Sequence, residues 1–319
     1  MPGSNERVLV VLTGGSVNDH QLDLIRSAAH GMWVESAPNM DALAPLLPEA
    51  EIVAGNVPQA LFGTATHLRW IHSWAAGVDS GLFPELVASP VVLTCSKGNG
   101  GIPLAEHIIL FMLMLARNVP AILHAQQERV WRHAPHAELT GQTLGIIGLG
   151  HSGADLACKA KAFHMRVIGL RRSQAPCPHV DQLYTRERLH EFLGASDWVA
   201  VTCPLTPETR HMLGEAEFRA MKPTAYYMNI SRGAVADPTA LARALHEGWI
   251  AGAGLDAHEQ EPLPNDSPFW NAPNTIVTPH YGATTPLTRQ RAVDIFVDNL
   301  KRYLAGNSLV NVVDKGAGY

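Results

Sequence analysis

The chain has 319 residues, 46% of them apolar and 17% charged, with 27 glycines and 22 prolines scattered along its length. That length suits two domains, and the composition excludes disorder, collagen-like repeats and coiled coil. A formal net charge of −5 with no Lys/Arg-rich run argues against nucleic acid and anionic membrane surfaces, and for a small diffusible partner.

The polar opening, Met1 to Arg7, lacks the basic segment that precedes the hydrophobic core of an export signal, so a cytoplasmic location is expected. Strands are predicted at 7–12, 51–54, 68–73 and 91–95, with helical patterns in most of the gaps. The most apolar stretch, Ile102 to Ala116, contains Glu106 and His107 and falls short of the roughly 20 residues that a bilayer demands. It reads as a buried helix within a pattern running from Pro103 to Asn118. A polar, His-rich connection follows through Glu138, and beyond it strands are predicted at 143–148, 165–170, 198–202, 225–230, 251–256 and 275–278. The last helix, 286–304, has Val293, Phe296, Val297 and Leu300 at the spacing of one buried face, suited to packing back on the first domain. Strand and helix alternating in this way define an α/β class with parallel sheets. Cys95, Cys158, Cys177 and Cys203 lie far apart without Cys-x-x-Cys spacing and read as reduced thiols. His133, His136 and Glu138 lie close together in the polar connection but without a rigid ligand frame, and no metal is predicted.

Residues 143–153 read TLGIIGLGHSG, an apolar strand entering Gly148-x-Gly150-x-x-Gly153 with a helical pattern after it. In that context the first glycine permits a tight turn, the second lets the backbone approach a pyrophosphate, and the third allows helix to pack on strand. The helix N-terminus offers free amides to the phosphates. The next strand ends in Arg171, Arg172 and Ser173 instead of the carboxylate that holds a ribose 2′-hydroxyl. Two guanidiniums and a hydroxyl suit a 2′-phosphate, so NADP(H) is expected to be preferred over NAD(H). The alternative is that both arginines are solvated loop residues.

Three later segments end strands with reactive side chains, where ligands collect in open α/β sheets. Asn229 to Gly233 carries Arg232, a planar fork for a carboxylate and an adjacent carbonyl. Gly254 to Leu263 carries Asp256, Glu259 and Glu261, and Thr278 to Ala283 carries His280. Reducing a 2-oxo acid loads negative charge on the carbonyl oxygen, so a cation and a proton donor must sit beside it.

Together with Trp74 to Asp79, Ala105-Glu106-His107 and Cys203 to Thr209, these segments resemble the D-isomer-specific 2-hydroxyacid dehydrogenase family over nearly the whole chain. The type most similar is the glyoxylate/hydroxypyruvate reductases. The resemblance implies that Arg232 binds the substrate, that His280 exchanges the proton and that Glu261, the acid before Pro262, pairs with His280. A carboxylate beside an imidazole favours the protonated ring and fixes which nitrogen faces the substrate. Glu259 then reads as a solvated loop acid. The resemblance also places coenzyme contacts at Gly148, Gly150, His151, Ser152, Gly153, Arg171, Arg172, Ser173, Cys203, Pro204, Thr209, Ile230, Asp256, His280 and Gly282. Ala76, Gly77 and Val78 would receive the substrate carboxylate beside Arg232 and His280.

The implied architecture is a Rossmann-type cofactor domain, 103–284, inserted in a flavodoxin-like substrate domain, 1–102 and 285–319, with the pair assembling as a homodimer. Trp131 falls where relatives let a partner subunit reach the cleft. Lys97 to Gly101 is open to two uses, contact with substrate or a mobile crossing between domains. Tyr281 either narrows the pocket or stacks nearby. Two other functions stay open: an NAD-linked dehydrogenase of the phosphoglycerate or lactate type, and a nucleotide-sensing, corepressor-like scaffold.

Overall fold

The computed structural model describes residues 7–15, 17–133, 135–173 and 175–318, with Ser80 described by its backbone alone. The chain forms two units, one running to Gly100 and resuming at Thr284, the other spanning Gly101–Ala283.

The first unit is built on strands β1 (Arg7–Leu12), β2 (Met32–Ala37), β3 (Ala50–Ala54), β4 (Trp70–Ser73) and β5 (Val92–Cys95). All pair in parallel in the order β2-β1-β3-β4-β5, a doubly wound sheet of flavodoxin type. Helix α1 (Asp19–Ala28) begins at a capping box between Asn18 and Gln21. On the same side of the sheet the last helix, Pro286–Leu304, buries Val293, Phe296 and Leu300 against Leu9, Ile25, Ile52 and Trp70. The face expected from its spacing is therefore the face that packs, and it packs in the first unit.

The second unit opens with α2 (Gly101–Ala116) and α3 (Val119–Gln127), which meet at a 64° bend. Asn118 at the bend lies in the left-handed region, with φ 54°, and Pro120 stands in the first turn of α3. The polar connection expected after Asn118 therefore begins with a helix, which the histidines and glutamines of this stretch concealed. Strands β6 (Thr143–Ile147), β7 (Arg166–Leu170), β8 (Gln182–Tyr184), β9 (Trp198–Val201), β10 (Tyr226–Asn229), β11 (Gly252–Leu255) and β12 (Thr275–Val277) follow, with α4 (His151–Ala162) after β6. Their order is β12-β11-β10-β9-β6-β7-β8, all parallel. The chain reverses its direction of winding between β6 and β9, the crevice at which such sheets bind dinucleotides.

Two strands were absent from the sequence pattern. Both β2 and β8 lie at sheet edges and are short or half-exposed, so neither carries the continuous apolar run of a central strand.

Candidate active site

One line of register organises the second unit. Leu170, Ile147, Val201, Asn229, Leu255 and Val277 pair across β7, β6, β9, β10, β11 and β12, and each is the last residue of its strand. Arg171, Gly148, Thr202, Ile230, Asp256 and Thr278 therefore all step off the same edge of the sheet. The expected functional residues of this unit lie at that edge because the strands end together.

At β6 the glycine motif behaves as its spacing predicts. Gly148 has φ 94°, and a side chain there would strike the backbone of Cys203 at 2.7 Å. A Cβ on Gly153 would lie 2.1 Å from the Gly148 carbonyl oxygen, so α4 can approach the strand only with glycine at this position. Gly150 caps α4 and has nothing within 4 Å of the place a Cβ would take, leaving its backbone open to a phosphate. His151 and Ser152 are the first residues of α4. The geometry fits a dinucleotide. At the end of β7, Arg171 is half-buried and Arg172 and Ser173 are exposed.

Beyond β9, burial pushes the Cys203 thiol up to about 12, so it is inert and serves as packing under the glycine turn. Pro204 starts a loop stapled by Thr209, whose hydroxyl accepts from the Thr206 amide at 2.7 Å and donates to the Pro204 carbonyl at 2.8 Å.

Glu261 and His280 meet. Nδ1 of His280 lies 2.8 Å from Oε2 and 3.0 Å from Oε1 of the carboxylate. The amide of His258 donates to Oε1 at 2.9 Å, which folds Glu261 back over its own turn. Glu259 is an exposed loop acid, as expected, and lies beside His211 at 3.1 Å and Arg210 at 3.5 Å.

Arg232 lies on the neighbouring turn, where its Nη1 donates to the Ser231 carbonyl at 2.9 Å and its own carbonyl accepts from the Asn229 amide group at 2.9 Å. The two turns touch at Gly233. A Cβ at that position would stand 2.0 Å from the carbonyl carbon of His258 and 2.1 Å from the Glu259 nitrogen. Gly233 is thus what allows the arginine turn and the glutamate turn to share one site, a need that only tertiary packing reveals.

Asp256, fully buried, braces the histidine loop. Oδ1 accepts from the Thr278 hydroxyl at 2.6 Å and the Tyr281 amide at 3.0 Å, and Oδ2 accepts from the Gly282 amide at 3.0 Å. These bonds bracket His280, whose φ of 50° is uncommon outside glycine. His107, which the sequence marked only as part of a matching segment, supports the same loop from α2, its Nε2 being 3.2 Å from the Thr278 hydroxyl. Burial pushes the His107 imidazole down, partly opposed by Asp256. The Tyr281 ring stands edge-on to His107 at 5.3 Å, the stacking alternative among its two expected uses.

In the first unit, Ala76, Gly77 and Val78 follow β4. Among the described residues none of their three amides is spent on a hydrogen bond, so the turn presents donors suited to an anion. A hollow beside it is lined by Asn56, Val57, Ser73, Ala75, Gly77 and Val78. Asn56 and Val57 carry no chemical signature in sequence and were not foreseen. The Lys97 to Gly101 turn is tied within this unit, the Lys97 carbonyl accepting from Asn311 at 2.9 Å and the Asn99 carbonyl from Arg291 at 3.3 Å.

Residues 109–282 match the D-isomer specific 2-hydroxyacid dehydrogenase, NAD binding domain, family. A glyoxylate reductase of Korarchaeum cryptofilum is 34% identical over 94% of this chain and 91% of its own length. Among solved structures, a D-isomer specific 2-hydroxyacid dehydrogenase from Xanthobacter autotrophicus, in complex with NADPH and MES, is 30% identical, with a TM-score of 0.85 over 98% of this chain and all of that one. An NADPH-dependent glyoxylate/hydroxypyruvate reductase from Sinorhizobium meliloti, in complex with NADP and sulfate, is 27% identical, with a TM-score of 0.83 over 99% of this chain and all of that one. With its glycine turn and its Glu261–His280 pair beyond one sheet edge, the chain belongs to the D-isomer specific 2-hydroxyacid dehydrogenase family and is an NAD(P)-dependent oxidoreductase.

Proposed function

We propose that the protein reduces a short 2-oxo acid of the glyoxylate or hydroxypyruvate kind to its D-2-hydroxy acid, with NADP(H) as the preferred coenzyme. The observation that carries this reading is the Glu261–His280 pair, at the same sheet edge as Arg232. The bound coenzyme supplies the hydride. Arg232 takes the substrate carboxylate and polarises the carbonyl, lowering the energy of the charge that forms on oxygen. Both Glu261 oxygens engage Nδ1 of His280, which leaves Nε2 as the nitrogen that gives the proton to that oxygen. In the first unit, the amides of Ala76, Gly77 and Val78 are free of hydrogen bonds among the described residues, and the family resemblance gives this turn the role of receiving a substrate carboxylate. Oδ2 of Asp256 receives one donor and has capacity for a second, which suits the nicotinamide carboxamide.

The coenzyme preference rests on Arg171, Arg172 and Ser173, which stand where an NAD-selective site places an acid. The relatives from Xanthobacter and Sinorhizobium are described with NADPH and NADP, which supports the same reading. A panel of 2-oxo acids assayed with both coenzymes tests it. Turnover of glyoxylate or hydroxypyruvate is expected, with kcat/KM favouring NADPH by about tenfold or more, the worth of one charge-assisted contact. Preference for NADH would overturn the coenzyme assignment, and coenzyme binding without reduction of any acid would overturn the reductase assignment.

We further propose that the protein pairs with a second copy through the second unit. Leu110, Ile122, Leu123 and Val130 on and after α2 and α3 are exposed, and Trp131 beyond them is 92% exposed. That is a large apolar cost for a lone subunit. Sedimentation equilibrium is expected to return twice the chain mass, and a Trp131→Glu variant to dissociate more readily. A wild-type monomer at micromolar concentration would overturn this.

A further inference from the structure

Beneath the Ala76–Val78 turn lies a buried histidine that the reaction does not use. His72, on β4, is fully buried, with Thr94 and Ser96 at its two nitrogens and Trp70 bonded to Thr94. The direction of every hydrogen bond in this group can be deduced. The indole of Trp70 donates to the Thr94 hydroxyl oxygen at 2.8 Å, so among the described residues the acceptor for the Thr94 proton is Nδ1 of His72, also at 2.8 Å. At the other end the Ser96 hydroxyl donates to the Ser73 carbonyl at 3.1 Å, so Ser96 must receive the proton on Nε2 of His72, at 3.1 Å. A neutral ring protonated on Nε2 satisfies all five groups in one chain running from Trp70 through Thr94, His72 and Ser96 to Ser73. A second ring proton would face the Thr94 hydroxyl, whose own hydrogen would lose its acceptor. Burial accordingly pushes this imidazole down to about 3.

The far end of the chain is the root of the anion turn. Besides its hydroxyl bond, Ser96 donates its amide to both Ser73 and Ala75 carbonyls at 3.1 Å, and Ser73 Oγ accepts from the Ala75 amide at 3.3 Å. The carbonyls of Ser73 and Ala75 are thus pinned from below, while among the described residues the next three amides carry no hydrogen bond. We infer that His72, acting through Ser96, is a positioning residue that holds the Ala76–Val78 turn in the shape that receives the substrate carboxylate. This rests on the reductase reading above.

The experiment measures kcat, KM for glyoxylate, and the NADPH dissociation constant for wild type, His72→Leu, His72→Gln and Ser96→Ala. His72→Leu leaves the buried Ser96 and Thr94 hydroxyls short of a partner and is expected to raise KM by about tenfold, one hydrogen bond's worth of distortion. Coenzyme binding and kcat should change far less. Glutamine can place an amide N–H near the position of Nε2, so His72→Gln should restore KM most of the way to wild type, and Ser96→Ala should raise it in the manner of His72→Leu. A wild type inactive on every 2-oxo acid would sink the reductase reading itself. With wild type active, an unchanged KM in both His72→Leu and Ser96→Ala, or equal losses in coenzyme binding and KM, would overturn the role given to His72. If His72→Leu fails to fold, Ser96→Ala and His72→Gln decide the matter by the same split.

Discussion

Replacing His280 with alanine is expected to lower kcat for 2-oxo acid reduction by about 10²- to 10⁴-fold, the usual contribution of a positioned proton donor. NADPH binding should stay close to wild type, because the glycine turn at Gly148 to Gly153 lies on a different strand end. The reasoning starts from Nδ1, which is fully engaged by Glu261 and so fixes both the plane of the ring and the identity of the free nitrogen. Glu261→Gln should be damaged less, since the amide oxygen can still accept from Nδ1 and hold the ring. Steady-state kinetics with coenzyme titration by fluorescence separates the two. An alanine variant retaining most of the wild-type kcat would show that the proton comes from elsewhere.

The second large effect is expected at a residue with no functional group at all. Gly233→Ala places a methyl 2.0 Å from the His258 carbonyl carbon, and both neighbours are backbone, so neither can swing aside as a side chain would. Either the turn bearing Arg232 or the turn that folds Glu261 must shift by an ångström or more. A misplacement of that size costs about a hundredfold in kcat/KM. Some loss of thermal stability is expected alongside, since overpacking a close contact costs roughly 1–3 kcal/mol. Arg232 and His280 remain chemically intact in this variant, so its kinetics report on geometry alone. Activity near wild type together with an unchanged melting temperature would show that the two turns tolerate separation.

How much was legible in the sequence depended on whether the constraint was local. The glycine motif was readable because the conformation of Gly148, the open backbone of Gly150 and the close approach of Gly153 all concern residues within one turn. The long apolar helix and the face of the last helix were readable from periodicity, and His280 from a strand end followed by a proline-containing turn. Strands β2 and β8 escaped because their sequences, MWVESA and QLY, mix polar and apolar residues at largely half-exposed positions. Helix α3 escaped because its polar composition resembles a loop and its start depends on the left-handed Asn118. The His72 chain escaped for another reason: its members come from two strands that are adjacent only in the folded sheet, and serine, threonine and histidine at that spacing announce nothing. Gly233 was noticed as the residue after an arginine, but its contact with the glutamate turn exists only in three dimensions.

The route of the backbone through the first unit has a consequence for biosynthesis. Its sheet is covered by Phe296, which lies 5.3 Å from the Trp70 ring and 5.1 Å from His72, and the turn leading into β5 is held by Lys315, whose ammonium reaches the carbonyls of Leu86, Ser89 and Val91. A ribosome therefore emits these strands well before the residues that cover them, with the intervening Rossmann module made in between. The strands of the first unit are thus separated from the residues that cover them by the whole second unit, and closing so long a loop is the kind of step that slows folding.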